Sequence, residues 1–201
     1  MKKNLSHSSV PKIVILAFII ISSTPFYSSA QSPAIKPAME KLKTGIQFEN
    51  NGQYHKAIEN YQQALALFRK LRTGDAIAVS LKRIGDVYHA LGQYEKSIEN
   101  YLQALTLFRK LGIEDAIVIT LNNIGTVYHL LGQYEKSIEN YQQALTLFRK
   151  LGKEDRVAAS LQNIGMVYDS RGQYDKAMEK FQEALVIARK LGQEDEIALS
   201  L

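Results

Sequence analysis

The sequence predicts an all-α protein, an α-solenoid of antiparallel helix pairs. Three observations carry that expectation. Glycines recur every 40 residues, at Gly45, Gly85, Gly125 and Gly165 and again at Gly52, Gly92, Gly132 and Gly172. Between them, large apolar residues return at steps of three and four, the period of a helix with one buried face. All four prolines (Pro11, Pro25, Pro33, Pro37) precede the repeats, so none interrupts a repeat helix.

The chain has 201 residues, 46% hydrophobic and 22% charged, values of an ordinary globular protein rather than a disordered one. It lacks cysteine, which excludes a disulfide scaffold, a thiolate zinc site and a cysteine nucleophile. The formal net charge is +5, but Lys2, Lys3 and Lys12 lie in the first thirty residues, where there is no acid. Subtracting these three leaves +2, so the body of the chain offers no electrostatic case for nucleic acid or for an anionic membrane surface.

Residues 1–30 have the organisation of a secretory signal. The three lysines form a positive start, Ile13 to Ile21 is an unbroken apolar run, and Ser28 and Ala30 fit the small-x-small pattern for cleavage before Gln31. The apolar run is shorter than the ~20 residues of a spanning helix. The expectation is an exported protein, periplasmic or extracellular in a bacterium, that has no membrane contact once cleaved. Residues 31–37 then form a linker and 38–201 the solenoid, with four repeats and the truncated start of a fifth.

Each unit holds two helical patterns. Leu121, Ile124, Val127 and Tyr128 make the apolar stripe of a first helix. Tyr94, Ile98, Tyr101, Leu105, Phe108 and Leu111 make that of a second, with Glu95, Lys96, Glu99, Asn100 and Gln103 on its opposite face. Gly132 and Gly152 are expected as left-handed C-caps, and Asp115 and Asp155 as N-caps of the helices that follow. Near residue 72 a glycine is displaced to Gly74 with the turn length unchanged. Gly92–Leu111 and Gly132–Leu151 differ only at Leu102 against Gln142, the mark of recent duplication. One unit cannot bury its own stripes; stacked units bury one another's. Asp195 to Leu201 begins the first helix of a fifth unit without a polar capping helix, so self-association through this uncapped end, by Leu199 and Leu201, is a further expectation.

This spacing resembles the tetratricopeptide repeat. Leu161, Ile164, Gly165, Tyr168, Gly172, Tyr174, Ala177, Phe181 and Ala184 fall on that family's signature positions. Gly125, Tyr128, Ser137, Tyr141 and Ala144 match in the third unit, and Gly85, Tyr88, Ser97, Tyr101 and Ala104 in the second. The first unit departs at Lys41, Thr44 and Phe48, as suits a terminal cap, and keeps Tyr54, Ala57, Tyr61 and Ala64. The usual tryptophan is leucine, and the usual proline is arginine (Arg69, Arg109, Arg149, Arg189). With a 40-residue period, the chain is similar to the longer-helix subtype found in kinesin light chains and in bacterial, especially cyanobacterial, proteins.

The resemblance implies a right-handed superhelix whose first helices line a concave groove that takes a protein or peptide ligand. The groove residues would be Lys82, Arg83, Asp86 and His89 in the second unit. They would be Asn122, Asn123, Thr126 and His129 in the third, and Gln162, Asn163, Met166 and Asp169 in the fourth. In the longer-helix subtype, an asparagine where Asn123 and Asn163 stand often bonds the backbone of a bound peptide, and Arg83 replaces it in the second unit. An amide donates and accepts, so it satisfies a peptide unit. Asp86 and Thr126 replace the asparagines used to capture a C-terminal carboxylate, which disfavours that ligand.

Nothing in the sequence calls for catalysis or a cofactor. His89, His129 and Asp169 form a ladder, but neighbouring repeats are roughly 10 Å apart per helix layer, too far to share a metal at about 2.1 Å. The carboxylates lie on polar faces beside lysines, and there is no phosphate loop or nucleophile motif. Arg-Lys pairs at 69–70, 109–110, 149–150 and 189–190 close each second helix and acids open the next first helix, both in accord with the helix dipole. The expected function is therefore a non-catalytic, exported protein–protein interaction module. Two other readings stand beside it: a recruiting fragment of a larger protein with a caspase-like CHAT domain, and a self-assembling structural scaffold.

Overall fold

The computed structural model describes residues 33–199, with side chains to residue 192; the expected signal segment and the cleavage site before Gln31 lie outside the described residues. Among the described residues there are eight helices and no strand. They are α1 (Lys36–Asn50), α2 (Tyr54–Leu71), α3 (Gly74–Ala90), α4 (Tyr94–Leu111), α5 (Glu114–Leu130), α6 (Tyr134–Lys150), α7 (Glu154–Ser170) and α8 (Tyr174–Leu199). Each packs on its predecessor and its successor in the chain, which is the contact pattern of stacked helical hairpins.

The stripes read from sequence form the core. Leu81, Ile84 and Val87 of α3, Leu121, Ile124 and Val127 of α5, and Leu161, Ile164 and Val167 of α7 are buried, against Tyr61, Phe68, Tyr101, Phe108, Tyr141 and Phe148 of the second helices. Leu111 departs from the expected stripe and is exposed: it is the last residue of α4, where the chain already turns away from the core. In α1, Lys41 is exposed as its polarity requires, and Leu42 beside it supplies the buried contact. The solenoid also starts earlier than expected, since Ile35 is buried and α1 begins at Lys36, with Pro37 in the first turn, where a missing N–H costs nothing.

Close helix contact within a unit depends on the first glycine series. A Cβ at Gly125 would stand 2.9 Å from the Tyr141 ring, and one at Gly85 2.7 Å from the Tyr101 ring. Other glycines turn the chain: Gly132 of the second series and Gly152, between units, have φ of 69° and 66°, and as left-handed caps they close α5 and α6. After α2 the same conformation falls on Arg72, at φ 56°, because the glycine has moved to position 74. That backbone state costs an L-residue roughly 1–2 kcal/mol.

Asp115 and Asp155 are not N-caps. Those positions belong to Ile113 and Lys153, and Asp115 and Asp155 are the second residues of α5 and α7. The caps are made by backbone alone, as in Ile117 N–H to the Ile113 carbonyl. The acids bind basic side chains of the next turn instead: Asp115 pairs with Lys153, and Glu114 with Lys150 at 2.6 Å. Such exposed pairs contribute about 0–1 kcal/mol each. At the other end, α8 continues through Gly192, where the earlier units turn. Glycine costs a helix interior only about 1 kcal/mol, so the helix can run through it.

Candidate functional site

The first helices present a second stripe beside the buried one. On α3 it carries Lys82, Arg83, Asp86 and His89; on α5, Asn122, Asn123, Thr126 and His129; on α7, Gln162, Asn163, Met166 and Asp169. The α3 and α5 residues are half-buried, whereas Gln162, Met166 and Asp169 are exposed. Direct bonds from one first helix to the next place these stripes side by side, as in Asn123 to Asp86 at 3.1 Å and Arg83 to Glu49 at 3.6 Å.

The stripes differ sharply in how far their polar groups are already used. Asp86 is saturated: it accepts from Lys82 at 2.8 Å, from the Tyr101 hydroxyl at 2.8 Å and from Asn123. Asn123 also donates to the Tyr101 oxygen at 3.4 Å. Glu49 accepts from the Tyr61 hydroxyl and pairs with Arg83. Thr126 hydrogen-bonds to Tyr141 at 2.9 Å, Asn122 donates to the Val118 carbonyl at 3.1 Å, and His129 hydrogen-bonds to Ser170 at 2.8 Å. Asn163 has no hydrogen-bond partner among the described residues, and neither has Gln162.

A rule unites these contacts. The ring at the position of Tyr61, Tyr101, Tyr141 and Phe181 lies on the unit's packing glycine. Where the ring carries a hydroxyl, an acceptor meets it: Glu49, Asp86 or Thr126. In the fourth unit the ring is Phe181, which needs no acceptor, and Met166 takes the place of Asp86 and Thr126. Burial, with the neighbouring Glu49 or Asp86, pushes the phenols of Tyr61 and Tyr101 well above the ordinary 10.0, and burial raises Tyr141 as well.

Sequence reasoning missed three features, the first of them on this surface. Ile119 and Leu130 are exposed on α5 and lie three and four residues from Asn122 and Thr126, hence on the same stripe. With Met166, 51% exposed, they give the α5–α7 surface an apolar component. The signal was their position, one helical step from the asparagine and threonine. Second, Ser97 and Ser137 donate to the Gly85 and Gly125 carbonyls at 2.9 and 2.7 Å, tying each second helix to its first. Third, Lys56, Lys96, Lys136 and Lys176 sit over the rings of Phe48, Tyr88, Tyr128 and Tyr168 at about 5.3–5.5 Å. These cation–π contacts contribute roughly 0.5–1 kcal/mol each.

The histidine ladder does not assemble a metal site. His89 packs against Tyr94 and His129 bonds to Ser170, and among the described residues no three of His, Asp or Glu converge. A hollow of about 350 Å³ lies elsewhere, between α2 and α4 over α3, lined by Gln62, Arg69, Asn100 and Gln103. It is the gap that Arg109 and Gln143 bridge at 2.9 Å in the next unit. No helix among the described residues is long and apolar enough to cross a membrane.

The tetratricopeptide repeat family model matches residues 45–110 and 116–190. No curated protein matches the chain. Among solved structures, BtubC (BKLC) from P. vanneervenii superposes with a TM-score of 0.72 at 20% identity, over 77% of this chain and 64% of that one. Aspartyl phosphate phosphatase F from Bacillus subtilis gives 0.72 at 19%, over 80% and 42%. A kinesin light chain candidate from Podosopora anserina, with nearly identical TPR-like repeats, gives 0.69 at 18%, over 90% and 85%. The chain thus spans less than two thirds of the first two proteins, and at these identities the likeness is one of fold.

Proposed function

We propose that this chain, which belongs to the tetratricopeptide repeat family, is an exported, non-catalytic module that docks a peptide on the inner stripe of its first helices, over α5 and α7. The observation that carries the proposal is the contrast along that stripe. On α3, Asp86 and Arg83 are committed to partners within the chain, whereas Asn163 and Gln162 on α7 keep unused amides beside exposed Met166. An amide next to an apolar surface suits a peptide: the amide meets a backbone unit and the apolar patch takes a side chain.

Two asparagines one repeat apart, roughly 10 Å, are bridged by about three residues of extended chain at ~3.3 Å each. Asn163 is the cleaner probe, because Asn123 already donates to Asp86 and Tyr101. Its replacement leaves a ligand peptide group unpaired, a loss of about 1–3 kcal/mol. Binders selected from a random peptide library against the protein are expected to lose tenfold or more in affinity with Asn163→Ala combined with Met166→Ala, at unchanged helicity. Leu102→Ala, on the opposite side of the stack, serves as the comparison and is expected to leave affinity unchanged. Equal binding by the inner variant would refute the docking site.

Export rests on the pattern of residues 1–30. Mass spectrometry of the native protein is expected to find a mature form that starts at Gln31; a form that starts at Met1 would contradict it.

A further inference from the structure

We infer that the hollow between α2 and α4 is a binding site for a free α-amino acid with an apolar side chain. Its volume of about 350 Å³ lies at the small end of ligand pockets, which run roughly 300–1,000 Å³. The floor is apolar, made by Leu65 and Ala66 of α2 and by Leu81, Ile84 and the Tyr88 ring of α3. In the later units the chain itself occupies the corresponding place. Arg109 donates to Gln143 at 2.9 Å between α4 and α6, and Arg149 approaches Glu183 at 3.9 Å between α6 and α8. Arg69 has no such partner among the described residues. Ala66 leaves the space open, where the larger Thr106 and Thr146 stand at the same position of α4 and α6.

The chemistry of the ligand follows from what the two sides offer. The α2 side donates. Arg69 is the one charged residue that lines the hollow, and its planar fork matches a carboxylate. The Gln62 amide, two helical turns earlier on the same face, is also without a hydrogen-bond partner among the described residues. The α4 side accepts. Asn100 donates to the Lys96 carbonyl at 2.8 Å and Gln103 to the Glu99 carboxylate at 3.4 Å, which leaves both side-chain carbonyl oxygens unused. Lys96 is engaged over the Tyr88 ring and with Gln93 at 2.9 Å. A carboxylate at Arg69 and an ammonium at the Asn100 and Gln103 carbonyls are the two polar groups of one amino acid, whose apolar side chain then covers the floor. A phosphate or a dicarboxylate fits less well, because its second negative charge would find a single arginine and, beside Gln103, the Glu99 carboxylate.

The test is calorimetric titration of the full chain with L-leucine, with isocaproate, which lacks its ammonium, and with isopentylamine, which lacks its carboxylate. Leucine is expected to bind once per chain, and each analogue to bind more weakly by about tenfold or more, since each leaves polar groups of the site unpaired. Arg69→Gln, which removes the cation, and Ala66→Thr, which fills the floor, are each expected to weaken leucine by about tenfold or more at native helicity. Asn163→Ala, on the inner stripe, is expected to leave leucine binding unchanged. No binding of leucine or phenylalanine at millimolar concentration would overturn the inference, as would binding that survives both substitutions. Isocaproate bound as tightly as leucine would overturn the role of the α4 carbonyls. A peptide ending in leucine that binds more tightly than leucine itself would overturn the assignment to a free amino acid and give the hollow to a partner's C-terminus. None of these results bears on whether a peptide docks over α5 and α7.

Discussion

Gly125→Leu is expected to lower the thermal midpoint by roughly 5 °C or more. The Tyr141 ring lies against Gly125, so even the first carbon of a side chain meets it at 2.9 Å. Tyr141 has little room to retreat, since it is buried and its hydroxyl is held by Thr126. Overpacking of this kind costs roughly 1–3 kcal/mol. The damage should also spread, because α6 carries the surface on which α7 packs, and stability in a stack is shared between neighbours. Hydrogen exchange is expected to rise in α5, α6 and α7 and to change least in α1 and α2. A mutant with the parent's melting curve would show that the helices of this unit do not need the glycine.

Asp86→Ala is expected to be nearly as damaging, at about 2–3 kcal/mol, because it strips the acceptor from the hydroxyl of buried Tyr101 and leaves half-buried Asn123 only its long bond to the Tyr101 oxygen. Asp86→Asn, which keeps one acceptor oxygen, is expected to recover part of the loss in a denaturant titration. The same network predicts a response to alkali. The folded protein holds the Tyr61 and Tyr101 phenols protonated well above 10.0, whereas the unfolded chain releases those protons near that value. The folded state then binds more protons, so this stabilisation is complete below about pH 10 and is lost as the pH rises beyond it. With both tyrosines changed to phenylalanine, the decline above pH 10 is expected to flatten. An unaltered slope would place the alkaline sensitivity elsewhere.

The positions of turns, packing glycines and core stripes were legible because each is set within one unit and repeated. Gly132 declares its left-handed turn by lacking a Cβ, and Leu121, Ile124 and Val127 declare a face by their spacing. Contacts between units were not legible in the same way. Asp115 has the composition of an N-cap, but Lys153, 38 residues later, is the group it binds. Asn123 has the position of a free groove amide, yet Asp86, 37 residues earlier, accepts its hydrogen bond. Within a unit, too, some contacts were not legible: Lys96 and Lys136 look like solvated surface charges, yet each sits over the Tyr88 or Tyr128 ring of the first helix of its own unit. The pairing of hydroxyl with acceptor was present in the sequence as Tyr with Glu49, Asp86 or Thr126 and Phe181 with Met166, but it becomes a rule only once each ring is known to lie on the glycine of its own unit.

The docking surface is tested most directly by photocrosslinking. A benzophenone side chain would replace Met166 on the inner stripe in one sample and Leu102 on the opposite side in another, each in the presence of a selected binding peptide. The account predicts a covalent adduct from position 166 and little from position 102. An adduct from position 102 with none from position 166 would contradict it, and would move the interaction to the outer helices.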